Sequence, residues 1–176
     1  MIETAAARVE AGPASFADAV REHQSMVFSI AYHCLRDRAV AEEVAQDVFL
    51  QLYKCFGEMT SAEHMKHWLR RVATHRSIDQ ARRRKLRPQV ALEDAPPLRS
   101  REDESDPMMS QMLRRLVASL PERARAIVVL RYQEDLDPME IAGILDIPVK
   151  TVRTRLHRSL NMLREKMARS QGGASV

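Results

Sequence analysis

The stretch Asp137-Pro-Met-Glu-Ile-Ala-Gly-Ile-Leu-Asp-Ile-Pro-Val-Lys-Thr-Val-Arg-Thr-Arg-Leu-His-Arg-Ser159 decides how the chain is read. It lays out a short helix, a tight turn and a second helix, the arrangement of a DNA-binding helix-turn-helix. Asp137 can cap a helix, Pro138 suits its first position, and Glu140 completes a D-x-x-E capping box. Ile141, Ala142, Ile144 and Leu145 supply the apolar side. Asp146-Ile147-Pro148 ends the helix, because the residue before a proline is pushed out of the helical region.

At about 100° per residue, Val149, Val152, Leu156, Leu160 and Leu163 fall on one stripe of the second helix. Lys150, Thr151, Thr154, His157, Arg158 and Asn161 fall opposite, with Arg153 and Arg155 on the flanks. Seven Lys or Arg stand against one acid, Glu165, between Val149 and Arg169. Such a face suits phosphates and guanine edges in a major groove. Charge alone fits a solvated basic helix equally well. The turn signature in front of it tips the reading toward DNA.

Working outward, the 176 residues suffice for one domain or two small ones. A composition 45% apolar and 30% charged, with only 5 glycines and few β-branched runs, predicts a soluble, helical protein. Cys34 and Cys55 are too few for a disulfide framework and sit in apolar helical patterns, which suits a reducing cytoplasm. No apolar run reaches transmembrane length and no signal-peptide pattern opens the chain. The expected location is cytoplasmic, with no membrane insertion.

Residues 1–13 are expected to be a disordered tail. Ser15 to Asp18 reads as the cap of a helix with Phe16, Val20, Val27, Ile30, Ala31 and Cys34 on its apolar side. Arg36-Asp37-Arg38 interrupts it. A second helix, Ala39 to Phe56, buries Val40, Val44, Val48, Leu52 and Phe56. It leaves Glu42, Glu43, Asp47 and Gln51 polar, with Phe49, Leu50 and Tyr53 apolar among them. Early acids favour the helix dipole, but an acidic face edged with apolar residues also suits protein docking.

Ser61 caps a third segment with Met65, Trp68, Leu69, Val72 and Ala73 on its apolar side, and Trp68 is read as core. Arg70 to Arg87 then carries eight Lys or Arg against Asp79 alone, a nucleic-acid footprint. Residues 88–107 hold four prolines and six acids against two arginines, and read as a flexible acidic linker. A second helical domain follows over 108–169, with Met109, Met112, Leu113, Leu116 and Leu120 on one stripe and Pro121 opening the next helix. It contains the helix-turn-helix (137–159). Residues 170–176 are expected to fray.

Two helical units joined by a linker, each with a basic surface, resemble a bacterial RNA polymerase sigma factor of the sigma-70 family, extracytoplasmic-function (ECF) group. The resemblance runs from Phe16 to Met167. It is carried by Ala41-Glu-Glu-Val-Ala-Gln-Asp-Val-Phe-Leu-Gln-Leu-Tyr53, by Trp68-Leu-Arg-Arg-Val-Ala73 with Arg76-Ser-Ile-Asp-Gln-Ala-Arg-Arg-Arg84, and by Leu120-Pro-Glu-Arg-Ala-Arg125 leading into Glu140-Ile-Ala and Val149 to Arg158. It implies an all-α fold of two small domains, a region 2-like bundle over 14–87 and a region 4-like unit over 108–169. It implies a transcription initiation factor that directs core polymerase to promoters, not an enzyme. Glu43, Asp47, Leu50, Gln51 and Tyr53 would bind core, mainly the β′ clamp helices. Arg71, His75, Arg76, Arg82, Arg83 and Arg84 would read and open the −10 element as single strand. Lys150, Thr151, Arg153, Thr154, His157 and Arg158 would read the −35 duplex, Arg158 as principal base reader and Thr151 on phosphate. An anti-sigma partner is implied as well. Asn is frequent in the family where His75 stands, and Gly where Asp146 and Lys150 stand.

Two other readings compete. A dimeric duplex-binding regulator leaves residues 16–86 without a role, and no dimerisation helix or ligand pocket is evident. An enzyme would need more than His23, His33, His64, His67, His75 and His157. The His64-x-x-His67 pair lacks an acid or thiol at matching spacing, and no Gly-rich loop or nucleophile constellation occurs. No cofactor or metal is expected.

Overall fold

The computed structural model describes residues 15–86 and 107–172. The expected tails over 1–13 and after Gly172, and nearly all of the expected linker, lie outside the described residues. The described chain is all helical: α1 (Phe16–Leu35), α2 (Arg38–Cys55), a short 3-10 turn (Phe56–Glu58), α3 (Ala62–Leu86), α4 (Pro107–Ala118), α5 (Glu122–Tyr132), α6 (Pro138–Leu145) and α7 (Val149–Gly172).

Local chemistry sets the boundaries. Ser15 Oγ accepts from the Asp18 backbone N–H at 3.2 Å and starts α1. Arg36, in the left-handed conformation at φ 58°, closes α1 by donating its N–H to the Tyr32 carbonyl. Asp37 then caps α2 through Val40 N–H at 3.1 Å, so two residues turn the chain between long helices. Ser61 Oγ accepts from His64 N–H at 3.1 Å ahead of α3. Small differences from the sequence reading follow the caps. The second helix starts at Arg38 because Asp37 is its cap, and Pro121 occupies the cap position of α5 instead of its first turn. The α7 helix continues to Gly172, past the expected frayed end at 169.

In the N-terminal bundle, Val27, Ile30, Val48, Leu52, Met65 and Leu69 are fully buried among α1, α2 and α3. Complete burial of each such side chain is worth about 1.5–3 kcal/mol. Trp68 packs on this core from its edge, as read from the sequence. Phe49 does too, so the expected exposed trio on α2 reduces to Leu50 and Tyr53. The C-terminal unit buries Ile127, Leu130, Ile141, Ile144 and Val152 between α5, α6 and α7. The α4 helix leans on this unit through Leu116 but leaves Leu113 exposed, against expectation.

The two units are not held apart. The α5 helix packs on α1 and α3, and α6 packs on α3. Cys34, which the sequence places on α1's own apolar stripe, instead joins the cluster formed by α5, α6 and α7, together with Ile78 of α3. It sits in the last turn of α1, the part that α5 covers. There the Arg125 guanidinium donates to the Cys34 carbonyl at 2.6 Å, and also to the carbonyls of Leu120 and Ala118.

Candidate nucleic-acid interface

The helix-turn-helix is built as the sequence dictates. The Asp137 carboxylate accepts from Met139 N–H at 2.6 Å and Glu140 N–H at 2.9 Å, while Glu140 accepts from Asp137 N–H at 2.7 Å. All three groups of the capping box are therefore engaged. Asp146 takes the left-handed conformation at φ 54° and ψ 50°, donating its N–H to the Ala142 carbonyl. Asp accepts that conformation better than most residues, so the turn closes without glycine. Thr151 N–H then bonds Pro148 O at 2.8 Å to open α7.

Burial of Val152 and Ser159 fixes the rotation of α7 about its axis. Lys150, Arg153, Thr154, His157 and Arg158 consequently face solvent together, and Thr151 is half-buried beside them. Among the described residues, none of Lys150, Arg153 and Arg158 enters an ion pair. Thr154 donates to Lys150 O at 2.9 Å, and His157 Nε2 lies 3.1 Å from the Asn161 amide. The result is a rigid face of uncommitted cations with two small donors between them. A second-helix face of this kind fits phosphates and base edges of a duplex groove.

The residues expected to read the −10 element do not form one surface. Arg71 and His75 point from α3 at the C-terminal end of α6. There Arg71 donates to Gly143 O at 2.9 Å and His75 Nε2 lies 3.0 Å from Ile144 O. Arg71 also lies 3.9 Å from the Asp146 carboxylate. These are the orphan carbonyls of a helix end, where cations are favoured. Arg76 turns the other way. It pairs with Asp47 at 3.0 Å and with the Gln51 amide oxygen at 3.0 Å, joining the α2 surface. Arg84 pairs with Asp37 at 2.9 Å, which ties the end of α3 to the start of α2. Arg82 and Arg83 are exposed, Arg82 lying 3.9 Å from Asp79.

On α2, Glu43, Asp47, Leu50, Gln51 and Tyr53 are all exposed, as read from the sequence. Leu50 and Tyr53 keep 63% and 67% of their surface accessible, a large fraction for side chains of that size. Tyr53 is held edge-on against Phe16, ring centroids 5.2 Å apart, which presents it rigidly. An apolar ridge flanked by carboxylates and an amide, with its backbone locked in a helix, has chemistry that suits protein docking.

Several residues that organise the site escape the sequence reading as partners. Arg70 pairs with Glu134 at 3.2 Å across the two units, both nearly enclosed. Burial raises the Glu134 carboxyl above its usual range, and the Arg70 charge only partly offsets that. Lys85 pairs with Glu122 in the first turn of α5, and that bond holds the Glu122 carboxyl below its usual range. The only sequence signal for these pairs is opposite charge on separate helices, which names no partner.

His64 Nδ1 lies 3.0 Å from the Thr60 hydroxyl, and His67 approaches Gly143. Burial lowers the pKa of His23 and of His33. Among the described residues no group of three or more His, Cys, Asp or Glu is placed to hold a metal ion. No helix among them is long and apolar enough to cross a membrane.

Residues 19–87 match the family described as Sigma-70 region 2, and residues 110–163 match Sigma-70, region 4. The ECF RNA polymerase sigma factor SigW of Bacillus subtilis is 30% identical over 166 residues, covering 87% of this chain and 89% of that protein. The ECF RNA polymerase sigma factor SigF of Caulobacter vibrioides is 32% identical over 131 residues, 74% of this chain and 73% of the relative. In fold, the chain is similar to the sigma factor RpoE of Bartonella quintana, crystallised in complex with the anti-sigma factor NepR. The TM-score is 0.71 at 17% identity, over 87% of this chain and 96% of that one. The chain therefore belongs to the sigma-70 family, in its extracytoplasmic-function group, and is a promoter-specific transcription initiation factor, not an enzyme.

Proposed function

We propose a division of labour in which α2 docks on core polymerase, α3 reads and opens the −10 element, and α7 reads the −35 duplex. The observation that carries this reading is the outward face of α7. Lys150, Arg153, Thr154, His157 and Arg158 are exposed together behind a fully capped helix-turn-helix. Arg158 is the base reader, since a guanidinium can pair with both acceptors of guanine, and Thr151, half-buried at the helix start, contacts phosphate. On α2, Leu50 and Tyr53 anchor the β′ clamp helices, with Glu43, Asp47 and Gln51 around them. On α3, Arg71 and His75 meet the extruded base and its strand, and Arg82, Arg83 and Arg84 meet the backbone. Unstacking a base costs a few kcal/mol, which pocket contacts and cations must offset. Arg76 is reassigned from this set, because its partners Asp47 and Gln51 make it a support for the docking face. The protein works in the cytoplasm beside polymerase, and an anti-sigma protein is its regulator.

The test is run-off transcription by core polymerase from a pool of promoter fragments, with and without the purified protein. Start sites that depend on the protein are the expected result, and duplex binding without core association would overturn it.

A further inference from the structure

Asn161 and Arg164 follow His157 along α7 at helical spacing, which brings the three side chains to one face. The Arg164 guanidinium donates to Asn161 Oδ1 at 3.2 Å, and Asn161 Nδ2 lies 3.1 Å from His157 Nε2. A guanidinium only donates, so Arg164 fixes which end of the Asn161 amide is oxygen. The amide nitrogen therefore faces the ring. That nitrogen cannot accept, so the bond to His157 exists only where Nε2 offers its lone pair. The one proton of the neutral ring then sits on Nδ1, because the bond at one ring nitrogen sets the state of the other. Nδ1 has no hydrogen-bond partner among the described residues.

We propose that Asn161 and Arg164 are positioning residues for −35 recognition, which hold His157 as a neutral ring with a single donor, Nδ1–H, turned over to the groove. The imidazolium form would set an N–H against an N–H across the same 3.1 Å. Flipping the amide would relieve that clash only by setting its nitrogen against the Arg164 guanidinium. His157 thus offers the duplex direction where Arg153 and Arg158 offer charge. Guanine N7 and O6, adenine N7 and thymine O4 can accept its hydrogen, whereas the amino groups of adenine and cytosine cannot. This inference rests on the proposed assignment of α7 to the −35 duplex.

The tautomer can be observed without DNA. Imidazole nitrogen–proton correlation spectra of the full-length protein, labelled with ¹⁵N-histidine, are recorded at about pH 8, where an ordinary imidazole is neutral. His157 is assigned by the signals missing from His157→Ala. The expected pattern in the parent protein is a protonated Nδ1 and a bare Nε2. Asn161→Asp replaces the amide by a group that only accepts, and is expected to move the proton to Nε2. Asn161→Ala and Arg164→Ala are expected to shift His157 toward the mixture of tautomers given by free imidazole. Binding is then measured by competition among −35 duplexes changed one base pair at a time. His157→Ala is expected to flatten selectivity at one position by about three- to tenfold. Asn161→Ala should flatten the same position and add nothing further in the His157→Ala background, because it acts through the ring.

A protonated Nε2 in the parent protein would overturn the proposal. So would a tautomer that Asn161→Ala and Asn161→Asp both leave unchanged. A tautomer that switches while selectivity stays intact, at a position that His157→Ala does flatten, would remove Asn161 from recognition. If His157→Ala flattens no −35 position, the assignment of His157 to the duplex fails instead, whatever the spectra show.

Discussion

At the scale of the residue, Asp146 and Arg158 show how much one side chain decides. Asp146 closes the turn in a left-handed conformation that most residues adopt at a cost of about 1–2 kcal/mol. It thereby sets the angle at which α7 leaves α6, and with it where Arg158 points. Arg158 enters no ion pair among the described residues, so its charge is available to a ligand. Arg158→Ala is expected to reduce discrimination between a promoter's −35 duplex and a scrambled one by about 1–3 kcal/mol, measured by competition binding. Equal selectivity in the variant would hand the base-reading role to Arg153 or Lys150. The end of α6 was legible in the sequence because Pro148 pushes Ile147 out of the helical region. The destinations of Arg71, His75 and Arg76 were not. They sit within a single basic run, yet the first two face α6 and the third faces α2. Composition reports charge and cannot report which side of a helix meets which neighbour.

At the scale of the element, caps and stripes did most of the work. Ser15, Ser61 and Asp137 take the capping roles read from the sequence, Asp37 caps α2 where the sequence showed only an interruption, and the four-residue spacing of Val44, Val48 and Leu52 is the buried side of α2. The failures were of degree. Phe49 reads as exposed because it lies among acids, but its ring folds back onto the N-terminal core. Leu113 reads as core because of its spacing, but α4 has too little of the second unit beneath it to cover that side. The short α6 depends heavily on its start: eight residues hold few internal hydrogen bonds, so the capping box is a large share of them. Asp137→Ala removes two acceptor contacts and is expected to cost about 1–2 kcal/mol, lowering the thermal midpoint of the full-length protein. An unchanged midpoint would mean that packing of Ile141 and Ile144 alone holds α6 in place.

At the scale of the whole molecule, the arrangement of the two units lay beyond what periodicity reveals. Each unit is recognisable separately, but their contact is made by pairs such as Arg70 with Glu134 and Lys85 with Glu122, separated by long stretches of chain. These pairs respond to pH. The Glu122 carboxyl is held below 4.5, first by its bond to Lys85, so in the folded protein it binds its proton less readily than when unfolded. Its stabilising contribution is therefore complete above the unfolded value and is lost as pH falls through the folded one. Thermal midpoints recorded between about pH 6 and pH 3 are expected to fall less steeply for Glu122→Gln than for the parent protein. Parallel curves would show that the pair adds nothing to stability.

The burial of Cys34 and Ile78 beneath α5 and α6 also bears on how the protein is made. A ribosome releases α1, α2 and α3 before the residues that cover those two side chains have been synthesised. During that interval the nascent chain carries an uncovered apolar spot on an otherwise finished bundle. A fragment ending at Leu86 would keep the spot permanently. Such a fragment is expected to aggregate at lower concentration than the full chain, as light scattering of the two at equal molarity would measure.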